Sequence, residues 1–427
     1  MATNLGMRGS GNWATDQRPK NWRETILYRY PNGDFPLTAM LSMLSSESTD
    51  DPEFNWWTKT LPAQGGAVTN VYTDSGLSVA YVSGGTAGTT LYVKMAEAVA
   101  DEIRAGHQVL LRDASNLDVD VNAKVTAVVK NGASSYCACK LLEADDNSAS
   151  NDLSDCDTIL VIGNINAEGA VMPTALAYDP VKWYNYTQIF RTSLSITRTA
   201  KKQRLRTGNG YQEAKREALE LHGIEIEKAY LFGIGSENTG SNGKPERTTQ
   251  GLIPAIKAGG TSANYVTDSN YSSQSWLQGG EQWLDTQLEI IFRYGRDEKL
   301  AFAGSGTLLA INRLAKSSGQ IQLQPETIAY GMKVMRWITP FGDLLVKRHP
   351  LFSNDSLTRY AMAIFEPQDL KERYIDNTTF YKEGEKQNTG AGRTDSTDEE
   401  WLTEVGLEYH HPNGWGWLTG FNSTNTA

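Results

Sequence analysis

Gln212-Glu-Ala-Lys-Arg-Glu-Ala-Leu-Glu-Leu-His-Gly-Ile-Glu-Ile-Glu-Lys-Ala-Tyr-Leu-Phe232 is the stretch from which the rest of the chain can be read. It has no proline and one internal glycine. Leu219, Gly223, Ile226 and Tyr230 fall on one stripe, while Glu213, Arg216, Glu217 and Glu220 crowd another. That pattern predicts an amphipathic helix, about 31 Å long at ~1.5 Å per residue. Gly233-Ile-Gly235 supplies the stop, because glycine accepts the conformations that end helices.

Upstream the periodicity changes from helical to alternating. From about 67 to 175, Val79 and Tyr81, then Leu91 and Val93, alternate with small or polar residues. Gln108-Val-Leu-Leu-Arg112 follows, then Leu117, Val119 and Val121 spaced by Asp118 and Asp120, then Val125 to Val129 and Ile159 to Ile162. Short strands broken by Gly, Asn and Asp predict a small antiparallel barrel or sandwich. The polar, acidic stretch Ala144 to Asp157 reads as a mobile loop. Tyr184 to Thr199 is a further extended run. Nearer the start, Pro31-Asn-Gly33 is a turn. Leu37, Met40, Leu41 and Leu44 then predict a short helix entered after Pro36. Residues 1–22 read as an extended arm.

Downstream the pattern is α/β. Trp276 to Tyr294 is a helix, Lys299 to Ala303 a strand, and Thr307 a cap for a helix from Leu308 to Ala315. Met332 to Ile338 and Asp343 to Arg348 form a hairpin across Pro340-Phe341-Gly342, and Tyr360 to Phe365 is a buried strand. Tyr381 to Glu400 reads as loop, and Glu404 to Phe421 as a final hairpin around Pro412-Asn413-Gly414. The class is α+β.

The bulk numbers bound the function. With 427 residues, 39% hydrophobic and 21% charged, the chain has apolar material for two or three folded units. No apolar run reaches the ~20 residues that cross a bilayer. Met1 to Trp13 is polar and Gly-rich rather than signal-like, so a soluble, unsecreted protein with no membrane partner is expected. A net charge of −10 argues against a basic face that wraps nucleic acid. The three cysteines fit a reducing compartment; Cys137 and Cys139 share one strand face, where bridging is strained.

Catalytic and metal motifs fail on specific residues. Gly243-Lys244 is followed by Pro245, and Asn238 stands where a phosphate loop has its first glycine. Asp118-Val-Asp120-Val-Asn122 begins like a calcium loop, but Ala123 and Val129 occupy its glycine and glutamate positions. Gly304-Ser305-Gly306 lacks the earlier glycine of a nucleophile elbow, having Ala303 instead. His107, His222, His349, His410 and His411 are not spaced as zinc pairs, and adjacent His410 and His411 on a strand would face opposite ways. No cofactor, metal or catalytic residue is expected, and no enzyme.

What remains is aromatic and extended. Trp occurs 11 times and Tyr 19 times, in clusters such as Trp56-Trp57 and Trp183-Tyr184-Asn185-Tyr186. These are ordinary core residues or anchors between subunits. Trp56, Trp57, Trp183 and Tyr186 are the candidates for the second role. Lys201, Lys202, Arg204 and Arg206 are a surface turn, a salt-bridge site for a neighbour's acidic segment, or a DNA contact. A long β excursion cannot bury itself in one domain, and so calls for a partner surface.

The segment Ile26-Leu-Tyr-Arg-Tyr-Pro-Asn-Gly-Asp-Phe-Pro-Leu-Thr-Ala-Met-Leu41, followed by Asp50-Asp-Pro-Glu-Phe-Asn-Trp-Trp57, resembles the N-terminal region of tailed-phage major capsid proteins. Glu168-Gly169, Asn185-Tyr-Thr-Gln-Ile-Phe190, Ala229-Tyr-Leu-Phe-Gly233, Gly251-Leu-Ile253 and the closing Val405-Gly-Leu-Glu408 with Gly420 continue the resemblance in order. It implies the tailed-phage capsid fold, with an N-terminal arm over 1–44 and an extended loop over 45–198. A small β domain would be inserted in that loop at about 74–165. A peripheral domain would take 199–265 and 376–427, with its spine helix at about 212–232, and an axial domain 266–375.

The function implied is an icosahedral head of pentamers and hexamers that encloses double-stranded DNA without sequence-specific binding, assembled in the host cytoplasm. The expected partners are other copies of the chain, a separate scaffolding protein (the match starts near residue 20), a portal and an optional decoration protein. No Lys–Asn cross-link is expected. The alternatives are a protein-cargo shell of the same fold and a tail or adhesin protein that binds carbohydrate through its tryptophans.

Overall fold

Asn209 starts the long helix by accepting a hydrogen bond from the Tyr211 amide at 3.1 Å, and the helix runs from Gly210 to Phe232. The computed structural model containing it describes residues 35–44, 46–59, 63–116, 118–145, 152–203, 209–318, 323–329, 332–382 and 396–421. The arm, the Pro31–Gly33 turn and most of the 381–400 segment lie outside these residues. The chain divides into two units: one from Trp57 to Val181, the other from the sequence on either side.

The first elements are α1 (Pro36–Met43), β1 (Ser46–Ser48) and β2 (Glu53–Thr58). The Trp57–Val181 unit follows with β3 (Gly65–Tyr72), β4 (Thr90–Met95), α2 (Glu97–Asp101), β5 (His107–Arg112), β6 (Asp120–Val129), β7 (Tyr136–Leu141) and β8 (Thr158–Asn164). Its strands close into an antiparallel barrel in the order β3-β4-β7-β6-β5-β8. Period-2 burial builds the core: Val109, Leu111, Val121, Ala123, Val125, Leu91 and Val93 point inward, as do Cys137 and Cys139, which remain free thiols. Closure leaves no strand edge exposed. The barrel strands begin at Gly65, close to the ~67 at which the alternating pattern starts in the sequence. Val79 and Tyr81 are not in a strand; a single bridge joins Tyr72 to Ala80.

The second unit resumes with β9 (Val181–Tyr186), β10 (Gln188–Thr197), α3 (Arg198–Lys202) and α4 (Gly210–Phe232). Then come β11 (Ser236–Thr239), β12 (Pro245–Thr248), α5 (Leu252–Gly259), β13 (Thr261–Asn264), α6 (Trp276–Phe292), β14 (Glu298–Ala303) and α7 (Ser305–Ser318). The remainder is β15 (Leu323–Ala329), β16 (Met332–Thr339), β17 (Gly342–Arg348), α8 (Pro350–Asn354), β18 (Ala361–Phe365), β19 (Leu370–Tyr381), β20 (Ser396–Tyr409) and β21 (Gly416–Thr419). Helix α4 lies on a four-stranded sheet ordered β1-β19-β20-β10. Helices α6 and α7 share a core with a seven-stranded sheet ordered β13-β21-β18-β14-β17-β16-β15. Its interior strand β18 is buried at every position, as strands covered on both faces are.

Four sequence readings need correction. The buried stripe of α4 is Ala218, His222, Ile226, Glu227, Tyr230 and Leu231, while Leu219 is 39% exposed. The stripe is rotated because two polar residues are buried on it. Glu404 to Phe421 is not a hairpin. β20 pairs with β19 and β10, whereas β21 joins β18 and β13 in the other sheet. Thr307 lies inside α7 rather than capping it, and its hydroxyl donates to the Ala361 carbonyl at 3.0 Å. Tyr381 and residues 396–400 belong to β19 and β20, not to a loop.

Candidate assembly surface

Alternation along β2 sorts the first aromatic pair. Phe54 and Trp56 point inward and Trp57, between opposite pleats, points out at 63% exposure. The Trp56 ring meets Tyr409 edge-on at 5.2 Å between centroids and stacks near Phe54 at 6.1 Å. Trp56 is therefore occupied within its own chain. β2 pairs with β9, which carries the second cluster. There Trp183 is partly buried against Tyr409 at 6.3 Å. Tyr184 is 54% exposed and touches half-buried Tyr186 edge-on at 5.7 Å. Desolvation raises the Tyr186 pKa, and the nearby Glu53 adds to the shift.

Asn185, buried between these aromatics, was not singled out by the sequence. Its Nδ2 donates to the Leu407 carbonyl at 2.6 Å, the Gln250 carbonyl at 3.1 Å and the Thr249 hydroxyl at 3.2 Å. Its Oδ1 accepts from the Tyr186 and Gln250 amides, both at 2.8 Å. This side chain fixes β9 to β20 and to the start of α5. In the sequence it is a lone amide inside an aromatic strand and the first residue of one of the segments that carry the resemblance.

The basic cluster is only partly described. Lys201 and Lys202 are exposed at the end of α3, which Thr197 caps by accepting from the Ala200 amide at 3.3 Å. Lys201 Nζ sits 4.6 Å from the centre of the Tyr211 ring, and Tyr211 donates its hydroxyl to Glu399. Arg204 and Arg206 lie outside the described residues.

Three buried polar joints hold this framework. Glu227 accepts from the Leu37 amide at 2.8 Å, the Thr38 amide at 2.8 Å, the Thr38 hydroxyl at 2.5 Å and His349 Nε2 at 2.9 Å. One carboxylate thus caps α1, which has no side-chain cap of its own, and ties it to α4 and to the segment after β17. Lys299, fully buried, donates to Glu366 at 2.7 Å and to the Tyr294 and Gly414 carbonyls at 2.8 Å each. Gly414 lies in the turn between β20 and β21, so Lys299 fixes the crossover that a hairpin would not make. His222 Nδ1 and Nε2 contact the Thr192 and Thr403 hydroxyls at 2.9 and 2.7 Å, and burial lowers its pKa. Burial pushes the Glu408 carboxyl up, but hydrogen bonds from His410 and Arg373 bring it below the ordinary range.

Among the described residues, no three or more His, Cys, Asp or Glu side chains gather to hold a metal. No described helix is long and apolar enough to cross a membrane. The polar joints bond to structural partners, with His349 Nδ1 left unpaired among the described residues, and the exposed apolar side chains include Trp57, Tyr184, Val171 and Met172.

Comparison with known proteins adds the following. A sequence profile described as the SU10 major capsid protein matches residues 17–422. The major capsid protein of Pseudomonas phage PaMx41 is 24% identical over 420 residues, covering 94% of this chain and 92% of that one. Among solved structures, the capsid of Myoviridae phage XM1 aligns with a TM-score of 0.40 at 11% identity, covering 94% of this chain and 96% of that one. The holo-SrpI encapsulin complex from Synechococcus elongatus PCC 7942 aligns at 0.36 and 10% identity, covering 58% of this chain and 79% of that one.

Proposed function

The chain belongs to the SU10 major capsid protein family, and from that premise we propose that it builds the phage head as pentamers and hexamers around double-stranded DNA. It is a structural component of a phage shell. The observation that carries the detailed reading is apolar surface on chain without a core of its own. Residues 165–180 contain no helix or strand, and there Val171 is 91% and Met172 88% exposed. Trp57 and Tyr184 add exposed aromatic area near the two ends of the excursion. Surface of this kind is stable when another copy covers it. Many such contacts, each modest, give a durable shell through multivalency.

The parts of the capsid fold are assigned on the same premise. The barrel is the inserted domain and lies within the extended loop; α4 is the spine helix of the peripheral domain. The chain from about 266 to 375 is the axial domain that gathers at symmetry axes. Trp57, Trp183 and Tyr186 serve as contacts between subunits, with Lys201, Lys202, Arg204 and Arg206 meeting acidic segments of neighbours. Trp56 acts behind them by holding β2 in place. A separate scaffolding protein and a portal complete the assembly in the host cytoplasm, and the shell protein itself catalyses nothing. The acidic balance of the chain supports enclosure of DNA without tight binding.

Negative-stain electron microscopy of the purified chain, with and without the candidate scaffold, tests this. Closed isometric or prolate shells are expected. A uniform monomer or trimer under every condition would refute the assembly reading.

A further inference from the structure

Shell building leaves one feature of the barrel unit unused. Asp145 and Asp152 are 4% and 2% exposed. Asp145 Oδ2 accepts from the Tyr81 hydroxyl at 2.5 Å and the Leu153 amide at 3.3 Å, but its Oδ1 is buried with no hydrogen-bond partner. Asp152 Oδ1 accepts from the Ser154 amide at 3.2 Å and hydroxyl at 2.6 Å, and no described group donates to its Oδ2. The Leu153 amide places the backbone of Asp152 beside the Asp145 carboxylate.

The surrounding backbone is fixed. The Gly85 amide donates to the Tyr81 oxygen at 2.7 Å and its carbonyl accepts from the Asp145 amide at 2.7 Å. A Cβ on Gly85 would come within 2.9 Å of both Tyr81 Oη and Leu141 Cδ1. Two buried carboxylates without a described cationic partner are costly. The unit offers little relief, since Trp57 to Val181 contains 7 Lys and Arg against 15 Asp and Glu.

We propose that Asp145 Oδ1 and Asp152 Oδ2 bind a hard divalent cation of the calcium class, with backbone oxygens and water completing its shell. The donors are all oxygen, which suits calcium and disfavours zinc or copper. The ion stabilises the barrel as a ligand of the folded state.

The test uses the full-length chain with TbCl3 alone and CaCl2 alone. Tyr81 lies close enough to sensitise terbium emission. Saturable emission is expected, displaced by CaCl2, with apparent affinity more than about tenfold weaker in Asp145→Asn and Asp152→Asn. CaCl2 should also raise the melting temperature of the wild type and not of the variants. If Asp145→Asn fails to fold by circular dichroism, Asp152→Asn, which keeps an oxygen to accept from Ser154, carries the comparison. Absence of saturable emission, or emission and melting shifts unchanged in a folded variant, would overturn the site and leave Oδ1 to water.

Discussion

Glu227 and His349 are both fully buried, and they show why residue chemistry mattered more than hydropathy on α4. A stripe drawn through apolar side chains alone passes over Leu219 and misses His222 and Glu227, two buried side chains that tie the helix to β10, β20, α1 and His349 by hydrogen bonds. Removing the Glu227 carboxylate leaves the Leu37 and Thr38 amides and His349 without their acceptor. Glu227→Ala should therefore cost the unassembled subunit about 3–5 kcal/mol in denaturant unfolding; a cost near zero would mean that α1 is held by packing alone. Trp56 and Trp57 separate folding from assembly. Trp56→Ala should destabilise the subunit by about 3–5 kcal/mol. Trp57→Ala should change its stability by less than about 0.5 kcal/mol yet lower the yield of shells seen by microscopy. His222 gives a pH test. Its folded pKa lies below the ordinary histidine value of about 6.5, so the unfolded chain binds the proton more readily. The resulting stability is present above pH 6.5 and is lost as pH falls through the folded value. His222→Gln should flatten that part of the stability profile of the unassembled subunit.

At the scale of elements, the informative error is the final hairpin. Alternation in Val405, Leu407 and Tyr409, then Pro-Asn-Gly, then Trp415 and Trp417 is what a hairpin looks like. The chain instead turns at His411, whose φ is 47°, and passes into the other sheet. Close packing enforces the route: a Cβ on Gly260 would lie 2.6 Å from the Pro412 carbonyl oxygen and 2.8 Å from that of Trp415. The Lys299–Glu366 pair then holds the turn through Gly414. Lys299→Met alone should cost about 3–5 kcal/mol by stranding Glu366, whereas Lys299→Met with Glu366→Leu should recover most of it. A double-mutant cycle by denaturant unfolding measures this, and a double-variant loss equal to the sum of the two single-variant losses would show that the pair's charges are not coupled.

At the scale of the molecule, the barrel has its own closed sheet and its own hydrophobic core. Residues 57–181 expressed alone should therefore unfold in one cooperative thermal transition with a strand-type circular dichroism spectrum; a gradual, non-cooperative loss of signal would show that the unit depends on the rest of the chain. The sequence by itself determined the local elements. Periodicities of 3.6 and 2 marked α1, α4, α6, β14, β18, the β16–β17 hairpin and most barrel strands, because burial of one face leaves its period in the residues. Composition and the scattered resemblance pointed to a shell protein before any coordinate, and the profile match over residues 17–422 agrees. Tertiary structure alone decided which sheet each strand joins, that Trp56 faces inward while Trp57 faces out, and that Asn185, Glu227 and Lys299 are joints rather than surface. Those outcomes depend on partners such as Leu407, Leu37 and Gly414, which lie 222, 190 and 115 residues away along the chain. A buried polar side chain looks like an exposed one in sequence, and only the fold supplies the partners that make its burial affordable.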